Sequence, residues 1–248
     1  MRPKANICVA TECCSAALPN PVLRASSSKI GPCISANRRL EQYRSLCTPS
    51  VAMLGSLAGH AVARVDKARS VSIALRVSGA MSRGSMISAQ QSIAPQTLRL
   101  ISGGLVTRPP GDLRDFDFGS GPQSSFAVTL PDLLTIHHAT GVPDIETFVC
   151  ITAGAFPTGD VKDLPVGPSH AEREASRYHA AVEVTDAEGR VVRSVLDAVN
   201  GYSFTAMAAA EAARRVLSRE VRPGFQTPAG LFGNGFAETI ADNRIMDL

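Results

Sequence analysis

The sequence has no tryptophan and only three tyrosines, which argues against an aromatic-rich binding surface. Long hydrophobic runs are missing as well. The longest apolar stretch, residues 50–63, is interrupted by Gly, Ser and His60, and a bilayer needs about 20 continuous apolar residues. An integral membrane protein is therefore not expected. Charge of one sign is scarce: the net charge is +3 over 248 residues, too little to argue for the phosphate backbone of a nucleic acid. A phosphate loop of the form Gly-x-x-x-x-Gly-Lys is absent, as is a Gly-x-Ser-x-Gly nucleophile elbow; Gly55-Ser-Leu-Ala-Gly59 has its serine in the wrong place. The nearest approach to a dinucleotide fingerprint is Gly119-Ser-Gly121, which lacks the third glycine and leads into a strand. It reads as a hairpin turn.

What remains is a chain that is 44% hydrophobic and 19% charged, with 20 Gly and 16 Pro. That composition suits a mixed α and β chain with a sizeable core and excludes a coiled coil. The averages hide a split. Residues 1–66 carry eight Lys or Arg against three Asp or Glu, while residues 67–248 carry seventeen against nineteen. Five of the six cysteines lie in the first 47 residues. They do not form a zinc pattern, because Cys13 and Cys14 are adjacent and no His lies among them. Residues 1–54 thus read as a leader distinct from a globular part, residues 55–248. Three readings of the leader stand: a disordered basic tail, an organelle-targeting peptide, or the misread or rearranged start of a longer gene.

Apolar spacing predicts a helix over residues 55–64 and a half-buried strand over 69–77, where Val71, Ile73, Leu75 and Val77 alternate with Ser70, Ser72 and Arg76. Ser82 can cap a helix that Pro95 closes. Strands are expected at 105–108, 114–119, 125–130 and 144–152, and a short helix from Asp132 that offers Leu133, Leu134 and Ile136 to the core. Residues 157–168 read as a Gly/Pro-rich loop. Alternating strands at 178–185 and 190–199 are joined by the turn Asp186-Ala-Glu-Gly189. Residues 202–219 form the clearest helix, and a short strand is expected around 236–240. Several strands are joined by hairpin-length turns. The fold class expected is therefore α+β: a mixed or antiparallel sheet with helices on one face, lacking a Rossmann domain.

Three polar constellations bear on function. Ser82-Arg83-Gly84-Ser85 follows a strand and opens a helix; it reads either as a cap with a solvated Arg83 or as a seat for an anionic group. His137-His138 cannot both ligate one metal from a regular helix, since adjacent residues point about 100° apart; one of them can serve as an acid or base, or both are structural. Gly201-Tyr202-Ser203 reads as a helix cap or as a hydroxyl presented at a site. No metal site is expected.

The segments Ser56–Val65, Gly79-Ala-Met-Ser-Arg-Gly84, Asp115-Phe-Asp-Phe-Gly119, Thr140-Gly-Val-Pro143, Gly201-Tyr-Ser-Phe-Thr-Ala206 and Pro223-Gly-Phe-Gln-Thr-Pro-Ala229 with Phe232-Gly233 occur in one order over nearly 200 residues. In that ordered set the chain resembles the C-terminal half of the saccharopine dehydrogenase-like oxidoreductases, the bacterial branch that includes the trans-acting enoyl reductases. Ser85 stands where the family usually has Thr, and His137-His138 where tyrosine-type residues are expected. The loop at 157–168 is shorter than usual, and the family's Gly-Phe-Asp segment before Ser56 is missing. The resemblance implies a cytoplasmic two-part enzyme, with a Rossmann domain binding NAD(P) and an α+β domain holding a small-molecule substrate. This chain matches the second part only, so it is expected to be a truncated member, inactive and without cofactor by itself. The resemblance implies contact between an anionic or polar substrate group and Ser82, Arg83 and Ser85. It also implies a cleft lined by His137 or His138, Tyr202 and Gln226. The alternative expectation is a non-catalytic binding or homo-oligomerisation module.

Overall fold

The structure, a computed structural model, describes residues 7–9, 50–91, 96–109, 111–152 and 160–248. In chain order the elements are β1 (Ile7–Val9), α1 (Ser50–Val62), β2 (Ala68–Val77), α2 (Arg83–Gln91), β3 (Thr97–Ile101), β4 (Gly104–Arg108), β5 (Leu113–Asp117), β6 (Pro122–Ala127), α3 (Asp132–Thr140), β7 (Asp144–Ile151), α4 (His170–Glu174), β8 (Arg177–Asp186), β9 (Val191–Val199), α5 (Gly201–Leu217), β10 (Gly224–Gln226), α6 (Pro228–Phe232) and β11 (Arg244–Asp247). The expected end of the second helix at 94–95, most of the leader and part of the 157–168 loop lie outside the described residues.

Nine strands form one mixed sheet in the order β11-β9-β8-β2-β7-β3-β4, with the hairpin β5–β6 attached to β7 through β6. Among the described strands of this sheet, β2–β7 is the parallel pair, and every other pairing is antiparallel. The protein is of the α+β class, as its hairpin-length connections imply. A separate two-stranded ribbon pairs β1 with β10 in parallel.

Alternation along β2 sorts the molecule into two sides. Val71, Ile73, Leu75 and Val77 are buried beneath the helices. In register beside them lie Val184, Val182 and Ala180 of β8 and Ile145 of β7. Over this side α1 lays a helical stripe, Met53, Leu54, Leu57, Ala58 and Ala61, all without solvent exposure. Burying each Met or Leu contributes about 1.5–3 kcal/mol. Small residues let the neighbours close in: Gly59 faces the Asn234 side chain, which donates to the Gly59 carbonyl at 2.9 Å. The buried Ser56 hydroxyl accepts from the Ala237 N–H. Helix α5 adds Phe204, Ala208 and Ala212, one helical turn apart.

On the other side of the sheet, the core among the described residues is built without helix residues. Its central row, Phe148, Ala74, Ala181 and Val195, forms a second core with Phe116, Phe118 and Ala127, since the β5–β6 segment folds over it. The Phe116 and Phe148 rings lie 5.2 Å apart.

Several elements depart from the sequence expectations. Helix α1 starts at Ser50, not 55, because Met53 and Leu54 belong to its buried stripe. Leu134 is exposed rather than core; of the three apolar residues expected inside, Leu133 and Ile136 are buried. The strand β3 and the short helix α4 are additional. The strand expected at 236–240 is a 3-10 turn, Asn234–Thr239, and the closing strand is β11 at 244–247. Phe236 and Ala237 are buried through that turn, by contact with α1, and not through a sheet ladder.

Two expectations follow for stability. A Cβ at Gly201 would run into the buried Tyr178 ring, so Gly201→Ala should lower unfolding free energy by about 1–3 kcal/mol through overpacking, as read by chemical denaturation. The strand β11 is tied by Asp247, which accepts from Ser194 Oγ at 2.8 Å and lies 3.0 Å from His60 Nε2 and 2.8 Å from Arg64. Burial opposes ionisation there, but Ser194, His60 and Arg64 outweigh it and hold the carboxyl below its usual value. The tie is therefore present above the unfolded Asp value of about 3.9 and is lost as pH falls through the lowered folded value. NMR signals of residues 244–247 should broaden in that acid window, and Asp247→Asn should show the same loosening at neutral pH.

Candidate functional site

Polar groups converge where β2 ends and α2 begins. The Ser82 hydroxyl caps α2 by accepting from the Ser85 N–H at 3.1 Å. The Tyr202 hydroxyl, from the first turn of α5, accepts from the Ser82 N–H at 2.7 Å and donates to Ser85 Oγ at 2.9 Å. The two serine hydroxyls lie 3.0 Å apart. Three hydroxyls from positions about 120 residues apart in sequence thus form one cluster, because Asn200 caps α5 and aims its first turn at the β2 end: Asn200 Oδ1 accepts from the Tyr202 N–H at 3.1 Å, and its Nδ2 donates to Ser176. Arg83 turns away from the cluster. Its Nε donates to the Leu164 carbonyl at 2.9 Å, and its backbone N–H to Val166, so it fastens residues 164–166 beside α2.

The other three sequence candidates lie elsewhere. His137 Nδ1 meets the Val142 carbonyl at 2.8 Å, and the His138 ring meets Phe225 edge-on at 5.4 Å. Gln226 donates to the Pro223 carbonyl. The His pair precedes β7, so it sits at the start of the parallel pair, whereas Ser82 follows its end. Eight paired residues separate the two ends, about 25 Å at roughly 3.3 Å per residue. The structure therefore joins Ser82, Ser85 and Tyr202, and places His137, His138 and Gln226 in a different region.

Beside the hydroxyl cluster, on the Arg76 side of β2, an open groove of about 480 Å³ is lined by Arg76, Ser78, Gly79, Ala80, Ser176, Arg177 and His179, with Glu172 and Ala175 from the end of α4 completing it. Arg177 Nε donates to Asp197 at 2.7 Å, and His179 Nε2 lies 3.3 Å from the same oxygen. Burial lowers the His179 pKa; Asp197 pulls it up, and Arg76 and Arg177 push it down. Burial raises the pKa of Cys150, which stands opposite Arg76, although the Arg76 charge works the other way. Periodicity alone shows that Arg76 faces away from the apolar side of its strand. The partner that completes the groove, β8, is supplied by long-range pairing, so the groove had no local signal.

A dinucleotide does not fit the one glycine turn that approaches its fingerprint. Gly119 and Gly121 do adopt the positive φ such a turn needs, 90° and 95°. Their N–H groups are, however, both held by the Asp117 carboxylate at 2.8 and 2.9 Å, and the turn joins two antiparallel strands rather than a strand and a helix. Backbone donors of that kind are what a pyrophosphate requires. Among the described residues no group of three or more His, Cys, Asp and Glu is placed to hold a metal, and no helix is long and apolar enough to cross a membrane.

The fold and site together define an α+β protein with a hydroxyl cluster and a basic groove at one end of its central strand. No protein-family model matches the sequence, and no curated protein matches it.

Removing the Tyr202 hydroxyl leaves the Ser82 N–H without its acceptor. Tyr202→Phe should therefore cost about 1–3 kcal/mol of stability, the usual penalty for an unmet partly buried donor, and should raise amide exchange at Ser82 more than at β9.

Proposed function

We propose that residues 55–248 act as the substrate-holding part of a saccharopine dehydrogenase-like NAD(P)-dependent oxidoreductase, a cytoplasmic enzyme class acting on a small molecule. One contact carries the reading. Two of the segments behind the resemblance, Gly79–Gly84 and Gly201–Ala206, meet through the Tyr202 hydroxyl bonded to Ser82 and Ser85. The cluster can donate to and accept from a polar substrate group at the end of the parallel pair, where the chain leaves the sheet. The α+β architecture, with one helix-covered face, agrees with the domain that the resemblance implies.

The division of labour follows from chemistry. Side chains cannot supply a hydride; the nucleotide does so when bound. Its reactive carbon must come within about 3–3.5 Å of the acceptor carbon. In this chain the hydroxyl cluster orients a substrate, and the nucleotide is held by protein other than the described residues. The alternative, a non-catalytic binding or oligomerisation module, draws no support from the Arg76 face of the sheet, because the chain's own Phe116 and Phe118 already cover its apolar row.

The experiment is a titration of the purified chain with NADPH, following nucleotide fluorescence. No saturation up to millimolar nucleotide, and no turnover of saccharopine or an enoyl substrate, is the expected result. Saturable micromolar binding would mean that the chain builds a nucleotide site of its own, and would overturn this division of labour.

A further inference from the structure

The Arg76 face of the sheet gathers many arginines, and nearly all are occupied. Arg99 and Arg108 hold Glu146 at 3.1 and 3.0 Å. Arg114 and Arg193 hold Glu183, and Arg177 holds Asp197. Arg76 is different. It stands in the interior of the sheet, in register between Cys150 on β7 and His179 on β8. It forms no ion pair among the described residues, and its Nε is buried without a hydrogen-bond partner there. A half-buried guanidinium with neither a counter-ion nor full hydrogen bonding is costly unless something completes it. It also lines the groove of about 480 Å³, which is within the size range of small-ligand sites, roughly 300–1,000 Å³.

We propose that this groove binds a small molecule through a single carboxylate group, held by the Arg76 guanidinium. The guanidinium fork matches a carboxylate edge with two parallel N–H···O bonds. The charge count selects a monoanion. The Arg177 charge is balanced by Asp197. Burial lowers the His179 pKa, which favours its neutral form. Glu172, at the mouth, accepts from the Ser169 N–H at 2.7 Å and adds negative charge to the rim. With Glu172 counted, these charges sum to zero; what Arg76 lacks is a partner within ion-pair distance among the described residues, which one carboxylate supplies and a second negative charge would exceed. A dianionic phosphate would carry surplus negative charge close to Glu172 and Asp197. The inference uses the groove and its charges alone and does not rest on the oxidoreductase reading.

The test is a titration of the full chain with butyrate, by calorimetry and by NMR of the arginine side-chain Nε–H signals, with inorganic phosphate as comparison. Butyrate should saturate and should shift the Arg76 Nε–H signal more than those of Arg99 or Arg193. Arg76→Gln should weaken binding about tenfold or more, as loss of a charge-assisted bidentate pair does. Arg193→Gln, which removes an arginine already holding Glu183, should leave affinity within about twofold. Should Arg76→Gln fail to fold, as judged by circular dichroism, Arg76→Lys keeps the charge without the fork and must still weaken butyrate. Absence of saturation, phosphate binding as tightly as butyrate, an unmoved Arg76 signal, or undiminished affinity in the folded Arg76 variant would each overturn the proposal.

Discussion

The two-sidedness of β2 is the constraint on which the rest of the structure depends. A strand with partners on both edges offers one row of side chains to each face, and the two rows here are chemically unlike. Val71, Ile73, Leu75 and Val77 must leave water, and here a layer of helices covers them. Ser72, Ala74 and Arg76 face the other way. The helices of that layer therefore collect on one side, and the second side is left to be satisfied by other means.

Those means are a short aromatic cover and a lattice of ion pairs. Phe116 and Phe118 cover the small apolar row, and Arg114 reaches from the same hairpin to Ser72 and Glu183. Arg108 shows how far the arrangement goes: it is almost fully buried, lies over the Phe148 ring at 4.9 Å and is held by Glu146. Burial lowers its pKa, but an arginine starts so high that it stays charged, and Glu146 supports that charge. Breaking one member of such a set leaves its partner buried and unpaired, so the lattice fixes the hairpin's position more than it adds net stability. Against this background of paired arginines, Arg76, which has no ion-pair partner among the described residues, is chemically distinct, and it is located where the sheet opens into a groove.

The elements legible in the sequence were those whose period is strong and whose ends carry turn chemistry. The α3 boundary is an example: Gly141 takes φ 74° and returns its N–H to the His137 carbonyl, the left-handed helix stop that Gly141-Val-Pro143 advertises. The hairpin at Asp186 is another, where one carboxylate gathers the N–H groups of Glu188 and Arg190. What failed was what lacked a local signal. Residues 97–101 alternate only over Thr97-Leu98-Arg99-Leu100, too short a stretch to mark a strand by itself, and become one by pairing with β4 and β7. Residues 236–240 have strand-like apolar content, but contact with α1 draws Phe236 inward through a 3-10 turn. Of the candidate residues, Ser82, Ser85 and Tyr202 are legible as polar residues at helix starts, yet nothing local says that they share hydrogen bonds, or that His137, His138 and Gln226 lie at the far end of the strand pair.

The sequence by itself determined the period of each strong element, the α+β class and the absence of a glycine fingerprint for a nucleotide, because those depend on side-chain order and on turn residues a few positions apart. Tertiary structure decided everything that depends on pairing across a hundred residues. It set β8 against β2 so that Arg76 faces His179, and it brought α5 over the end of β2 so that Tyr202 meets Ser82 and Ser85. It also turned Arg83 onto a backbone carbonyl. Register and helix placement are set by the simultaneous burial of many side chains, and no short window of sequence contains that sum.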